Sequence, residues 1–293
     1  MKLGVLTHYS DKILRWVAET GFEVVELSAW PEGPMDATTF TATKKKELRA
    51  LVDELGLEIS SLGYYPSHLD PDEDKRSRIA EYFQTLLRLA ADLGVPVVST
   101  HAAGSVLPTP EEKVAQFVDA FTPHLELAER LGVKIALENC PHGPGGGNFV
   151  NGPESWDMVF EAADSDFLGI EMDPSHLVFR FMDYERAICD YGPKIFHVHA
   201  KDTMIRWDVL GRVGIYGEGW WCFRVPGLGE VDWMRFIDAL RLAGYGGAVV
   251  IENEDPYFGT GGWDIIHQDP TDLPSASKQA FLYGYRHLRP LMV

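Results

Sequence analysis

Four apolar runs in the second half of the 293-residue chain each end in a side chain able to bind a metal. They are Val133-Lys-Ile-Ala-Leu-Glu138, Leu168-Gly-Ile-Glu-Met-Asp173, Ile195-Phe-His-Val-His199 and Ala248-Val-Val-Ile-Glu252. Three carboxylates and one imidazole make a hard, oxygen-rich donor set for one divalent cation. With no thiolate among them, Mn²⁺ suits the set best, Mg²⁺ or Co²⁺ follow, and Zn²⁺ is admissible. Four protein ligands leave about two octahedral positions for a hydroxyl–carbonyl pair of a sugar. A cation placed there polarises the carbonyl and stabilises negative charge developing on oxygen.

Other side chains lie near enough in sequence to join such a site. His176 follows Asp173 by three residues, and His101 ends the run Ser99-Thr-His101. His142 lies in the segment after Glu138, as an acid–base or substrate-binding group. Lys201 and Asp202 either steer a substrate or pair with each other. Trp30 offers a ring to stack on a sugar face, and Arg206 belongs to a stretch that could hold a phosphate. His197 is assigned to the face of its strand turned away from His199, with a packing role, and Cys140 is read as a small apolar filler.

These residues act together only if their strands lie parallel, with all polar ends at one edge. A recurring phrase supports that arrangement: an amphipathic helix, a stop at Gly21, Gly56, Gly94, Gly132 or Gly244, then a β-branched run. Most of these glycines recur about every 35–38 residues, close to one βα unit. The pattern predicts strands at 3–7, 24–28, 58–63, 96–100, 133–138, 168–173, 195–199 and 248–252. It predicts helices at 11–20, 43–55, 73–93, 111–131, 153–163, 183–190, 231–243 and 274–288. Strict alternation of eight units indicates an α/β protein, a single (β/α)8 barrel domain spanning 1–293, with its site at the C-terminal strand ends. No strand opens into Gly-x-Gly-x-x-Gly, which argues against a dinucleotide fold.

Two segments run long, Thr203–Glu230 and Asp255–Asp272. Both are rich in glycine and aromatics, including Trp207, Trp220, Trp221, Phe223, Tyr257, Phe258 and Trp263. They read as loops that wall or cover the site, or as an interface to a second copy or a partner subunit. Apolar residues make up 45% of the chain, enough for a large core. The net charge of −18 opposes binding to nucleic acid. Cys140, Cys189 and Cys222 are too scattered for a disulfide framework, and no run approaches the ~20 apolar residues of a membrane span. The expectation is a soluble, cytoplasmic protein acting on a small molecule.

Leu137-Glu138-Asn139, Met172-Asp173-Pro-Ser-His176, His197-Val-His199-Ala-Lys-Asp202 and Val250-Ile-Glu252 resemble the marks of the xylose-isomerase-like barrels. That group includes sugar isomerases, ketose 3-epimerases, inosose dehydratases and endonuclease IV. The resemblance implies that Glu138, Asp173, His199 and Glu252 hold the metal. It also implies that Glu138 and Glu252 trade a substrate proton while His176 contacts a substrate oxygen. The leading expectation is a metal-dependent sugar isomerase or epimerase working through an enediolate. A lyase that takes the same proton and then eliminates is the alternative, and a non-catalytic carbohydrate-binding protein is the third. The stretch Trp221–Trp233, with Glu252-Asn-Glu-Asp-Pro256, also looks like barrels acting on 3-keto-glycosides. Endonuclease IV carries an Asp-x-His pair after strand seven. This chain has Val225-Pro-Gly-Leu-Gly-Glu230 there, and Gly63 where a further histidine is expected, with His68 nearby.

Overall fold

The computed structural model describes residues 1–143, 147–259 and 271–292. Eight parallel strands close into a barrel: β1 (Lys2–Thr7), β2 (Val24–Ser28), β3 (Glu58–Gly63), β4 (Val97–Thr100), β5 (Lys134–Glu138), β6 (Leu168–Met172), β7 (Ile195–Ala200) and β10 (Ala248–Ile251). Around the barrel, β10 joins β7 to β1, so the sheet has no open edge. Intervening helices α1 (Asp11–Thr20), α2 (Ala42–Leu55), α3 (Glu73–Leu93), α4 (Pro110–Leu131) and α5 (Pro153–Ala163) match the expected positions within about a residue. The same holds for α7 (Tyr184–Tyr191) and the last helix, Ser275–Leu288, while α9 (Trp233–Leu242) begins two residues later than expected.

The helix boundaries have local causes. Ser10, Thr41, Asp72 and Thr109 each accept a backbone N–H at the start of α1 to α4, and Thr109 with Glu112 completes a capping box. Gly21, Gly56, Gly94 and Gly132 end those helices at φ values of 97°, 64°, 75° and 68°, a conformation costly for any residue with a Cβ. Each helix then turns its apolar stripe onto the barrel. On α3 the stripe Ile79, Phe83, Leu86, Leu87, Ala90 and Leu93 is buried as its spacing implies. Phe117, Phe121, Trp156, Phe236 and Phe281 complete the sleeve of core between strands and helices.

The segment Thr203–Glu230 is not the simple loop expected. Strands β8 (Asp202–Ile205) and β9 (Trp221–Arg224) pair antiparallel as a hairpin, and α8 (Trp207–Val213) lies within its connection. A further short helix, α6 (Ser175–Val178), follows β6. Of the second long segment, Trp263 lies outside the described residues. No described helix is long and apolar enough to cross a membrane.

Candidate metal centre

The four strand-end residues converge. One ligand atom from each of Glu138, Asp173, His199 and Glu252 lies within 4.8 Å of every other. Glu138 ends β5, Asp173 and Glu252 directly follow β6 and β10, and His199 lies on β7. Parallel register at adjacent strand ends turns four residues distant in sequence into one cluster. Asn139 clasps two of these ends: its Nδ2 donates to the Asp173 carbonyl at 2.9 Å, and its Oδ1 accepts the Asp173 N–H at 2.7 Å.

Carboxylates crowd around one lysine at this cluster. Lys201 Nζ lies 2.6 Å from Glu252, 2.8 Å from Glu254 and 3.1 Å from Asp173. With Glu138, four carboxylates thus gather around this ammonium and the imidazoles of His101, His176 and His199. Asp173 Oδ2 is fully buried yet makes no hydrogen bond, and the Lys201 ammonium and His176 Nε2, at 3.3 Å, are the charged atoms beside it. Buried anionic oxygens left this way are costly unless a cation satisfies them. The donor set therefore fits a divalent cation held by Glu138, Asp173, His199 and Glu252.

Protonation follows the same electrostatics. Burial opposes ionisation of Glu138, but His101, His176 and His199 hold its carboxyl well below the usual range. Burial likewise opposes Glu252, yet Lys201 and His199 bring it down to about 2. Both glutamates are thus charged bases. Burial would lower His101, but Cys140 and Glu138 carry its imidazolium up to about 9. The Cys140 thiol is pushed up by burial and pulled down further by His176 and His101, to about 7. Cys140 therefore borders the site and is not mere filler.

Other expected site residues separate into two groups. His101 Nε2 bonds Glu138 Oε2 at 2.7 Å, and His176 is fully buried, with Nε2 3.6 Å from Glu138 Oε1. His142 stacks parallel to Phe179 and Trp221, at 5.6 and 5.8 Å, so it belongs to an aromatic wall beside His176. That wall is built by the hairpin: Trp221 stacks on Phe179 at 4.0 Å, and Phe223 lies 4.6 Å from the Lys201 ammonium. Lys201 does not pair with Asp202, which instead accepts from Trp233 Nε1 and the Gly227 and Val231 amides.

Arg206 is exposed, and its side chain donates to the Gly219 carbonyl, with no bond to the cluster among the described residues. Trp30 packs edge-on against Tyr64, 4.8 Å away. His68 bonds Thr100 and packs among Phe83, Phe121 and His124, away from the ligands.

His197 also corrects an expectation. Residues two apart on a strand share a face, and both His197 and His199 point into the barrel, where His197 Nδ1 bonds Glu171 Oε1 at 2.8 Å. Around them lies a deeper polar layer that strand-end reasoning missed. Tyr65 Oη lies 2.7 Å from Glu26 Oε1 and 2.8 Å from Glu171 Oε2. The two carboxyl groups share one phenolic proton. Burial and the charge of Glu26 raise the pKa of Glu171.

A family model described as the xylose isomerase-like TIM barrel matches residues 14–282. The chain belongs to this family. Inosose dehydratase of Geobacillus thermodenitrificans is 32% identical over 117 residues, covering 38% of this chain and 39% of that protein. Inosose dehydratase of Halalkalibacterium halodurans is 30% identical over 107 residues, 34% of this chain and 35% of the other. The matches thus span well under half the length of these curated relatives. Solved structures of the xylose isomerase-like fold align over nearly everything. D-psicose 3-epimerase from Clostridium cellulolyticum H10, crystallised with D-tagatose, superposes with a TM-score of 0.74 at 18% identity, covering 100% of this chain and 99% of that one. IolI with a bound zinc atom gives 0.74 at 20%, covering 100% and 98%. The 3-keto-D-glucoside 4-epimerase of E. coli gives 0.71 at 19%, covering 99% of each. At such identities these likenesses establish the shared fold.

Proposed function

We propose that this protein is a divalent-metal-dependent enzyme that moves a proton beside the carbonyl of a sugar or keto-sugar, with isomerisation or epimerisation as the outcome. The observation carrying this reading is the convergence of Glu138, Asp173, His199 and Glu252 around a buried, unsatisfied Asp173 Oδ2. When bound, the cation supplies Lewis-acid polarisation of the carbonyl and acidifies the adjacent C–H. Mn²⁺ is the first candidate on donor type.

The chain's own residues divide the remaining work. Glu138 and Glu252 lie 3.1 and 3.3 Å from His199 Nδ1 and are both ionised, so one takes the proton and the other returns it. His176, fully buried with Nε2 3.3 Å from Asp173 Oδ2 and 3.6 Å from Glu138 Oε1, is the group placed to donate to a substrate oxygen. Lys201, ammonium held by three carboxylates, and His101, bonded to Glu138, fix those carboxylates in place. The wall of His142, Phe179, Trp221 and Phe223 offers flat apolar area to a sugar face and excludes water.

A lyase is the second reading, favoured by the 32% identity to inosose dehydratase. It shares the first proton removal and differs in expelling a β-substituent afterwards. Incubating Mn²⁺-loaded protein with ketoses and with keto-glycosides or inososes in D₂O separates the readings. Deuterium at the carbon beside the carbonyl, with the skeleton retained, supports isomerisation or epimerisation. Release of water or of an aglycone assigns elimination. Tight sugar binding with no exchange overturns both.

A further inference from the structure

A metal-ligating imidazole must present a bare nitrogen lone pair, and its other nitrogen decides which one is bare. In His199 the two nitrogens meet different surroundings. Nδ1 faces the mouth cluster, with Glu138 Oε1 at 3.1 Å and Glu252 Oε2 at 3.3 Å. Nε2 faces inward, 2.8 Å from Glu26 Oε2 and 3.3 Å from Glu171 Oε1. We infer that Glu26, a residue of strand β2 far from the mouth in sequence, is a positioning residue for the metal site: it accepts the Nε2 proton of His199 and thereby makes Nδ1 the ligating atom. The inference rests on the metal-dependent reading above.

Glu26 is itself built to hold that geometry. It is fully buried, and its other oxygen, Oε1, accepts from the Tyr65 hydroxyl at 2.7 Å. Strand β3 ends beside it in Gly63, where an added Cβ would lie 2.6 Å from Glu26 Oε1 and 2.9 Å from the Tyr65 ring. Glycine at this position therefore makes the room through which the phenol reaches the carboxylate.

Glu26, Glu171, His197 and His199 also place potential ligand atoms within 4.8 Å of one another. That geometry alone would suit a second cation, but the hydrogen bonds oppose it. Glu26 uses one oxygen for Tyr65 and the other for His199. Glu171 Oε1 meets Ser99 Oγ at 2.6 Å and His197 Nδ1 at 2.8 Å, while Oε2 meets Tyr65. A layer already partnered throughout serves as support for the ligand above it.

The test compares wild type with Glu26→Gln and Glu26→Asp. Glutamine keeps the size but can donate as readily as accept, so it releases the choice of tautomer; aspartate keeps the charge but shortens the reach. Mn²⁺ affinity is measured by calorimetry, and the ¹⁵N shifts of His199 are read in Zn²⁺-loaded protein. Wild type should show a protonated Nε2 and a metal-bound Nδ1. Glu26→Gln should weaken Mn²⁺ binding about 10–100-fold, with Glu26→Asp between the two. Should Glu26→Gln fail to fold, Tyr65→Phe, which frees Glu26 Oε1, supplies the test through a smaller loss of affinity. A metal-bound Nε2, or Mn²⁺ affinity unchanged in the variant used, overturns the inference and leaves the metal reading intact. A wild-type protein that binds no stoichiometric cation overturns both.

Discussion

In the deep layer of the barrel, each oxygen of Glu26 and Glu171 faces a hydrogen-bonding partner, drawn from Tyr65, Ser99, His197 and His199. At the mouth, a few residues further along the same strands, Asp173 Oδ2 makes no hydrogen bond, though Lys201 Nζ lies 3.1 Å and His176 Nε2 3.3 Å away, and Glu138, Asp173, Glu252 and Glu254 crowd around Lys201. Both layers are buried and rich in carboxylate and imidazole, so residue type and burial do not distinguish them. Satisfaction does. A buried polar group whose bonds are complete acts as structure, whereas one left wanting marks where a ligand completes it.

The comparison breaks most sharply at the mouth. Glu138→Gln combined with Asp173→Asn should abolish stoichiometric Mn²⁺ in purified protein, read by metal analysis; undiminished metal removes the assignment. Glu252→Gln alone should slow substrate C–H exchange in D₂O by roughly 10²–10⁴-fold, the usual worth of an acid–base group. The two layers should then part in stability. Glu171→Ala in the deep layer strands Ser99, Tyr65 and His197 and should cost about 3–5 kcal/mol, measured by denaturant unfolding of metal-free protein. Glu254→Gln at the mouth relieves crowded charge and should leave metal-free stability equal or higher. Equal losses at the two positions would erase the distinction.

A third buried region sharpens it through pH. His124 lies between α4 and the rings of His68, Phe83 and Phe121, and burial pushes its pKa down to about 4. The unfolded chain takes up a proton below about 6.5 while the folded imidazole resists until about 4. Stability from this residue is therefore complete above about 6.5 and lost as pH falls toward 4, by roughly 3 kcal/mol. Unfolding of wild type and His124→Phe between those pH values should show a shallower slope in the variant. The smallest effect is at Arg206: replacing it with alanine should leave metal affinity and turnover unchanged, since its side chain reaches the Gly219 carbonyl on the exposed hairpin tip.

The barrel was legible because its signals are local. Glycine stops at Gly21, Gly56, Gly94 and Gly132 and period-matched apolar stripes such as that of α3 act within a few residues. The mouth cluster was legible because parallel strands bring like ends together. The deep layer was missed although its signal was present. Glu171 and His197 precede Asp173 and His199 by two residues and therefore share their inward faces. Glu26 is a charge in the middle of the apolar run Val24-Val-Glu-Leu27, which only an inward polar partner explains. Tyr65 was beyond such reasoning, because its role depends on the space left by Gly63 across the strand. The β8–β9 hairpin was hidden for a different reason: its strands have four residues each and depend on Asp202 and Asp255 for anchorage.

That anchorage separates the hairpin into two parts with different freedoms. Its root is tied by Asp202 to Gly227, Val231 and Trp233, by Asp255 to Arg224 and Val225, and by Thr203 to Ser175. Its tip carries the exposed Trp207, Ile215 and Tyr216. A lineage can therefore lengthen, shorten or exchange the tip while the fastened root keeps Trp221 and Phe223 beside Lys201. The hairpin thus works as an exchangeable fitting on a fastened socket, so a change at its tip need not disturb the buried cluster below it.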